Sequence, residues 1–178
     1  MLRLFVGIPL PPEQRLTLSI LCRGVPGVKW VDPGNYHVTV RFIGEVDEGV
    51  AAEIDEVLAG VRLPRFELAV AGTGSFGPDD KPRVIYAGLD RSAPLALLHD
   101  KVEIALMRIG LPPEGRRYSP HVTLGKIQNT NPIEIRRFVA EHNLLRLPGF
   151  RVEAFSLIRS YLTKSGAIYE DVADYPLR

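Results

Sequence analysis

The sequence is poor in cysteine, since Cys22 is the only one in 178 residues. A single thiol excludes an internal disulfide and a zinc site built from cysteines, and it agrees with a reducing compartment. No apolar run approaches the ~18 residues that a membrane-spanning helix needs. The segment Met1–Pro9 lacks the basic stretch and long apolar core of a secretory signal. We therefore expect a cytoplasmic protein that does not associate with a membrane.

The sequence also lacks a charge excess and a phosphate-binding loop. It has 22 Lys and Arg against 21 Asp and Glu, for a formal net charge of +1. Bulk electrostatics therefore do not favour wrapping of a long polyanion, and any nucleic-acid contact must be local. The glycines of Gly72–Ser75 are not followed by the lysine of a triphosphate-binding loop, and no dinucleotide fingerprint follows a strand.

One short polar pattern is present twice, as His37-Val38-Thr39-Val40 and as His121-Val122-Thr123-Leu124. Both copies lie in apolar, β-branched surroundings that are typical of strands. Side chains alternate along a strand, so each histidine shares a face with its threonine, about 7 Å away, while the other two motif residues face the core. Buried polar groups need partners, so the two copies are expected to line one shared cleft.

The remaining pattern predicts an α+β fold with antiparallel sheets, because helices and strands do not alternate strictly and hairpins dominate. Each half contains a helix, a His-Thr strand and another helix. We therefore expect two pseudo-symmetric lobes that face a central cleft, with helices outside, in one domain covering residues 1–178.

Several local features of this fold are also predicted. Asp47, Ser92 and Asn131 are expected to cap helices. The first helix should run from Pro12 to about Arg23 and bury Leu16 and Ile20. Two strands, Phe66 to Val70 and Arg83 to Leu89, should form a hairpin whose loop is Gly72–Pro82.

Two histidines in one cleft can divide acid and base work, because imidazole titrates near neutral pH. The threonine hydroxyls are neutral donors on stiff side chains, suited to phosphoryl oxygens. Such a site permits in-line displacement at a phosphodiester without a metal. A metal site is one alternative, but two histidines supply at most two ligands, and His99 and His142 lie in helical patterns. A purely structural role for each histidine is the other alternative.

Neighbouring residues supply candidate substrate contacts. Arg41 lies four residues beyond His37, on the same predicted face, and is a candidate to bind the phosphate or to remain a solvated surface residue. Phe76 and Tyr118 are candidates to stack a base, which contributes about 1 to 3 kcal/mol. Phe42 is assigned to the core. Lys126 should face away from the cleft unless a bulge intervenes.

At the two motifs the sequence resembles the 2H phosphoesterase superfamily, which is characterised by two His-x-Thr/Ser-x motifs. Within it the chain is similar to the RNA 2′,3′-cyclic phosphodiesterases, also called 2′-5′ RNA ligases. The resemblance covers nearly the whole chain and includes Arg3–Leu10, Trp30-Val31, Tyr36–Gly44, Ser119–Leu124 and Leu157–Leu162.

This resemblance implies hydrolysis of a terminal RNA 2′,3′-cyclic phosphate to a 2′-phosphomonoester, without a cofactor or a metal. It implies that His37 is the general acid, that His121 is the general base, and that Thr39 and Thr123 hold the phosphate. The implied partners are RNA ends, with tRNA fragments as one candidate, and nucleotides, bound by a monomer.

Two alternatives remain open on the sequence. One is a related 2H activity on 2′-5′ oligonucleotides or on small cyclic nucleotides. The other is a nucleotide- or RNA-binding module without catalysis. Ligation of RNA ends through a 2′-5′ bond follows in principle from reversibility of the hydrolysis.

Overall fold

The computed structural model describes residues 1–178 and contains four α-helices and ten β-strands. The helices are α1 (Pro12–Leu21), α2 (Glu48–Ala59), α3 (Ala93–Arg108) and α4 (Pro132–Glu141). The strands of the first half are β1 (Leu2–Pro9), β2 (Val28–Trp30), β3 (His37–Val46), β4 (Phe66–Leu68), β5 (Val70–Phe76) and β6 (Val84–Leu89). Those of the second half are β7 (Val122–Ile127), β8 (Phe150–Val152), β9 (Ala154–Thr163) and β10 (Gly166–Pro176). None of the helices combines the length and apolarity needed to cross a bilayer.

Eight strands form one antiparallel sheet in the order β10-β9-β1-β3-β7-β6-β5, with β2 paired to β7. Strands β3 and β7 meet in the middle, and only Val38 and Val122 pair across this seam. One lobe therefore consists of β10, β9, β1 and β3, and the other of β2, β7, β6 and β5. The predicted α+β fold with two lobes facing a cleft is confirmed, with the His-Thr strands at the seam.

The predicted helix caps follow the expected chemistry. The Asp47 and Ser92 side chains accept hydrogen bonds from the backbone N–H groups of Val50 and Leu95, and Asn131 accepts one from Ile133. Each cap satisfies an N–H group that the first turn of a helix leaves without a partner. These local signals therefore place the starts of α2, α3 and α4 correctly.

The predicted inner face of α1 is wrong. Leu16 and Ile20 are exposed, whereas Leu18 and Gln14 are buried. The Gln14 amide donates a hydrogen bond to the carbonyl of Pro148, at 2.9 Å. A polar residue thus belongs to the packed face because a distant loop supplies its partner, which apolar periodicity does not reveal.

The predicted hairpin loop is also wrong in part. Strand β4 pairs with β8, and β5 extends through most of the glycine-rich segment to Phe76 and pairs with β6. Gly74 faces Tyr86 so closely that an added Cβ would lie 2.4 Å from its hydroxyl oxygen. The glycine therefore permits close packing within a strand, and the connecting loop is shorter than predicted.

Both seam strands carry a β-bulge directly after the motif threonine. In β3, Gly7 and Val6 of β1 pair with Thr39 and Arg41, so Val40 has no partner. In β7, Tyr86 and Ile85 of β6 pair with Thr123 and Gly125, so Leu124 has none. An extra residue reverses the side-chain alternation beyond it. The fourth position of each motif is therefore a bulge.

Candidate active site

The seam brings the four motif side chains onto one face of the sheet. Because Val38 lies opposite Val122, the antiparallel register sets His37 opposite Thr123 and Thr39 opposite His121. Both valines are fully buried on the other face. We call the side that carries the histidines and threonines the cleft face.

The ring of His37 is fixed by two hydrogen bonds. Its Nδ1 lies 2.8 Å from the carbonyl oxygen of Asn35, and its Nε2 lies 2.9 Å from the hydroxyl oxygen of Thr39. A carbonyl only accepts, so Nδ1 carries the proton and Nε2 of the neutral ring accepts from Thr39. The proton-accepting nitrogen of His37 is therefore Nε2, the one next to Thr39.

Aromatic side chains enclose His37 on the cleft face. The ring centroids of Phe5 and Tyr169 lie 4.6 Å and 5.2 Å from that of His37. Gly7 completes the enclosure, because an added Cβ would approach the His37 ring to 3.3 Å. Burial lowers the pKa of His37, and the positive form of His121 lowers it further, while the bond to Asn35 opposes both.

His121 has the same Nδ1 anchor but a free Nε2. Its Nδ1 lies 2.8 Å from the carbonyl oxygen of Ser119, so the neutral ring again has its acceptor at Nε2. No protein group hydrogen-bonds to this second nitrogen. The rings of Phe76 and Tyr86 lie edge-on at 4.8 Å and 5.5 Å. Burial lowers the pKa of His121, and its bond to Ser119 opposes that effect.

An open cleft of about 550 Å³ lies against this face and is lined by Thr39, His121 and Thr123. Arg83, Arg116 and Arg117 line it too, together with the carboxylate of Glu114. None of these three arginines belongs to a salt bridge. A concave site with polar groups and cations without partners is suited to an anionic ligand.

Tyr118 connects the two motifs. Its hydroxyl donates a 2.8 Å hydrogen bond to the backbone carbonyl of Thr39, although the residue lies three positions before His121 of the second motif. Burial, together with the charge of Glu114, raises the pKa of this hydroxyl, which therefore stays a donor. The ring of His99 stacks on Tyr118 at 4.1 Å and an angle of 3°. One ring face is thus covered, and base stacking on Tyr118 stays a prediction.

Phe76 ends strand β5 at the edge of the cleft instead of lying in a loop. It stacks on Tyr86 at 4.3 Å, and its ring meets His121 edge-on. The predicted contact between Phe76 and a base stays a prediction.

The expectation that Arg41 faces the cleft is wrong. Arg41 is 5% exposed, and its guanidinium pairs with Glu103 and donates to the carbonyls of Phe42 and Pro112. The bulge at Val40 turns Arg41 to the other face of β3, where α3 supplies Glu103. All parts of the guanidinium are therefore engaged within the protein.

The two bulges also decide the positions of Phe42 and Lys126. Phe42 is 41% exposed and lies under the guanidinium of Arg3, so it is not a core residue. In β7 the bulge at Leu124 turns Lys126 toward the face of His121, where it pairs across the strands with Lys29. Lys126 and Lys29 both line a smaller pocket of about 120 Å³ next to Tyr169. The intervening bulge is the feature on which the sequence prediction for Lys126 was conditional.

One set of side chains has the composition of a metal site. The ligand atoms of His99, Glu103 and Glu114 lie within 4.8 Å of one another. Glu103 is already ion-paired with Arg41, and neither motif histidine belongs to the set. His142 packs against Phe138 at the end of α4.

Comparison with known families identifies the duplicated architecture. The family described as LigT-like phosphoesterase matches residues 8–86 and residues 89–169, and each segment contains one His-x-Thr motif. The chain belongs to the LigT-like phosphoesterase family. Its assignment as an enzyme of the phosphoesterase class is thereby confirmed, as is the 2H resemblance.

Two named relatives resemble this chain over most of their length. A protein of Aeropyrum pernix named RNA 2′,3′-cyclic phosphodiesterase is 39% identical over 88% of this chain and 89% of its own. A protein of the same name from Archaeoglobus fulgidus is 32% identical over 96% of this chain and 98% of its own.

Solved structures show the same fold. The crystal structure of a Thermus thermophilus protein, TT0787, has a TM-score of 0.83 and 26% identity, covering 99% of this chain and 98% of that chain. A structure of LigT from Escherichia coli has a TM-score of 0.78 and 22% identity, covering the same shares of both chains. The bilobal arrangement is therefore a feature of the LigT-like fold.

Proposed function

We propose that this phosphoesterase hydrolyses the terminal 2′,3′-cyclic phosphate of RNA to a 2′-phosphomonoester by acid-base catalysis between two histidines, without a metal. The substrate class is supported by the relatives named RNA 2′,3′-cyclic phosphodiesterase. We further propose that residues 1–178 act as one catalytic domain of a monomer in the cytoplasm, without a cofactor, and that RNA ends and nucleotides are its partners.

The observation that carries this proposal is the matched anchoring of the two rings. Both Nδ1 atoms lie 2.8 Å from a backbone carbonyl two residues earlier, so both neutral rings have Nε2 as the proton-accepting nitrogen. A structural histidine needs no such duplication. Two acceptor nitrogens on the same face of the seam suit the transfer of one proton into the reaction and another out of it.

In the proposed reaction, Nε2 of His121 accepts a proton from water, and the water oxygen bonds to phosphorus. The bond from phosphorus to the 3′ oxygen breaks on the opposite side, and protonated His37 gives its proton to that oxygen. The products are a 2′-phosphomonoester and a 3′ hydroxyl. His121 suits the base because its Nε2 has no hydrogen bond to break. His37 then takes the remaining role, that of the acid.

The bond between His37 and Thr39 would couple protonation to phosphate binding. In the neutral state the Thr39 hydroxyl donates to Nε2 of His37, at 2.9 Å. Protonation turns this nitrogen into a donor, so the hydroxyl hydrogen of Thr39 becomes free to donate to a phosphoryl oxygen. Thr123 lines the cleft and would supply a second donor. Bound phosphate would in turn stabilise the imidazolium of His37.

The test is incubation of the protein with a short RNA that ends in a 2′,3′-cyclic phosphate, in excess EDTA. We expect a 2′-phosphate, identified by phosphorus NMR. A 3′-phosphate would contradict the proposed leaving oxygen, and loss of turnover in EDTA would contradict the metal-free mechanism. Binding without turnover would favour the alternative of a non-catalytic RNA-binding module. Parallel reactions with 2′-5′ oligonucleotides and small cyclic nucleotides test the related activities, and incubation of the products with a 5′-hydroxyl RNA tests ligation.

A further inference from the structure

A second pocket of about 560 Å³ adjoins the cleft, and we call it the side pocket. Arg117 and Tyr118 line both the cleft and the side pocket. The side pocket is otherwise lined by the end of β6, by Arg91 and by the first half of α3, which contributes His99 and Asp100. The cleft therefore continues past Tyr118 into a second concave surface.

The wall between the two spaces is held rigidly. His99 is only 14% exposed and stacks face to face on Tyr118, whose hydroxyl bonds to the carbonyl of Thr39. The proposed phosphate clamp and the side pocket are thus separated by one tyrosine side chain.

The charges around this wall differ from those of the whole chain. The protein is almost neutral, with 22 basic and 21 acidic residues. Arg83, Arg91, Arg116 and Arg117 nevertheless line the two spaces, against the carboxylates of Glu114 and Asp100.

None of these four arginines forms a salt bridge, so each guanidinium is free to bind a ligand. The guanidinium fork matches the geometry of phosphate oxygens and favours bidentate binding. Exposed arginines without partners along a concave path are suited to a polyanion that follows the path.

We propose that Arg91 and Arg117 in the side pocket bind the phosphodiester on the 5′ side of the terminal nucleotide. This inference rests on the proposed function, which puts the terminal cyclic phosphate between the motif threonines. The protein then selects RNA ends over free cyclic nucleotides through a contact one nucleotide away from the reacting phosphorus. The contact gives affinity without reading the base, because a phosphodiester carries no sequence information.

The experiment compares kcat/KM for three substrates: a nucleoside 2′,3′-cyclic phosphate, the same compound with a 5′-phosphate, and a dinucleotide ending in the same cyclic phosphate. We expect kcat/KM to be about ten-fold higher for the two substrates that carry the extra phosphate, mainly through a lower KM. The advantage should shrink as salt rises, because the contact is electrostatic.

The diagnostic variant is Arg91→Ala, with Arg91→Lys as the variant that retains charge. Arg108→Ala is the matched control, since Arg108 is an exposed arginine without a salt bridge at the other end of α3. Arg91→Ala should lower the ratio of dinucleotide to mononucleotide kcat/KM to about one third or less, Arg91→Lys should restore part of it, and the control should keep it.

Equal kcat/KM for all three substrates would overturn the proposal. So would a dinucleotide advantage that is absent with the 5′-phosphate, or one that survives Arg91→Ala. Failure to hydrolyse any of the three would instead contradict the proposed function. Calorimetric binding of the three 2′-phosphate products then makes the same comparison without turnover, with equal affinities overturning the side-pocket assignment.

Discussion

His37 and His121 hold the same position in the same motif, yet their surroundings differ at Nε2. His37 begins β3, and its Nε2 is bonded to Thr39 at 2.9 Å. His121 precedes β7, follows a loop that carries Arg116 and Arg117, and has no protein partner at Nε2. Duplication therefore supplies two similar rings, and we propose that the segments around them divide the roles, with His37 as the acid and His121 as the base.

The largest expected effect comes from removing either ring. His37→Ala and His121→Ala should each lower kcat by about 10³-fold, because each removes one proton transfer. His142→Ala is the control, since this histidine lies outside the motifs and packs against Phe138 at the end of α4. Circular dichroism checks that the variants fold. Substantial activity of either motif variant would contradict the acid-base assignment.

Removing either threonine hydroxyl should lower activity less than removing a histidine ring. Thr39→Val and Thr123→Val retain side-chain shape while removing a hydroxyl donor, which typically costs about 10²-fold in kcat. Thr39→Val should have the larger effect, because it also removes the hydroxyl that contacts His37. It should also move the pKa at which the rate falls on the alkaline side, which reports His37 in this scheme, whereas Thr123→Val should not. Equal effects of the two variants on rate and on that pKa would contradict the proposed coupling.

Tyr118→Phe should have a smaller effect that involves both motifs. The variant leaves the ring on His99 but removes the donor to the Thr39 carbonyl, costing about 1 kcal/mol in the free energy of unfolding and several-fold in kcat. Tyr161→Phe is a matched control, because it removes a hydroxyl that bonds to exposed Glu170 on the β9-β10 hairpin. Identical urea unfolding and kinetics for both variants would show that the link between the motifs has no energetic role.

The smallest expected effect is a shift of the pH optimum to acidic pH. Burial lowers the pKa of both histidines. The acid must be protonated, so activity falls as pH rises through the pKa of His37. The base must be neutral, so activity falls as pH drops through the pKa of His121. The maximum of kcat/KM, which reports the free enzyme, should therefore lie below about 6.5, the ordinary value for histidine. A maximum above pH 7 would contradict the effect of burial.

The sequence predicts what depends on short-range patterns. The repeated motif, the caps at Asp47, Ser92 and Asn131, and the alternation of Val38 and Thr39 are local, and the structure agrees with them. The α+β class also follows from the order of such segments.

Features that depend on distant partners are not predicted. The bulges at Val40 and Leu124 are defined by pairing with β1 and β6, and they decide where Arg41 and Lys126 point. Glu103 of α3, which engages Arg41, is equally remote in sequence. The sequence alternates between apolar and polar residues on both sides of the bulge, so the alternation does not show that the side chains change face there.

The division of roles between the two histidines can be tested directly with a 2′,3′-cyclic phosphate whose 3′ bridging oxygen is replaced by sulfur. A thiolate leaves without protonation, so the substrate needs a base but no acid. The account predicts that His37→Ala hydrolyses this substrate at a rate near that of the unmodified protein, while His121→Ala stays about 10³-fold slower. Rescue of His121→Ala with no rescue of His37→Ala would reverse the assignment, and rescue of neither would contradict it.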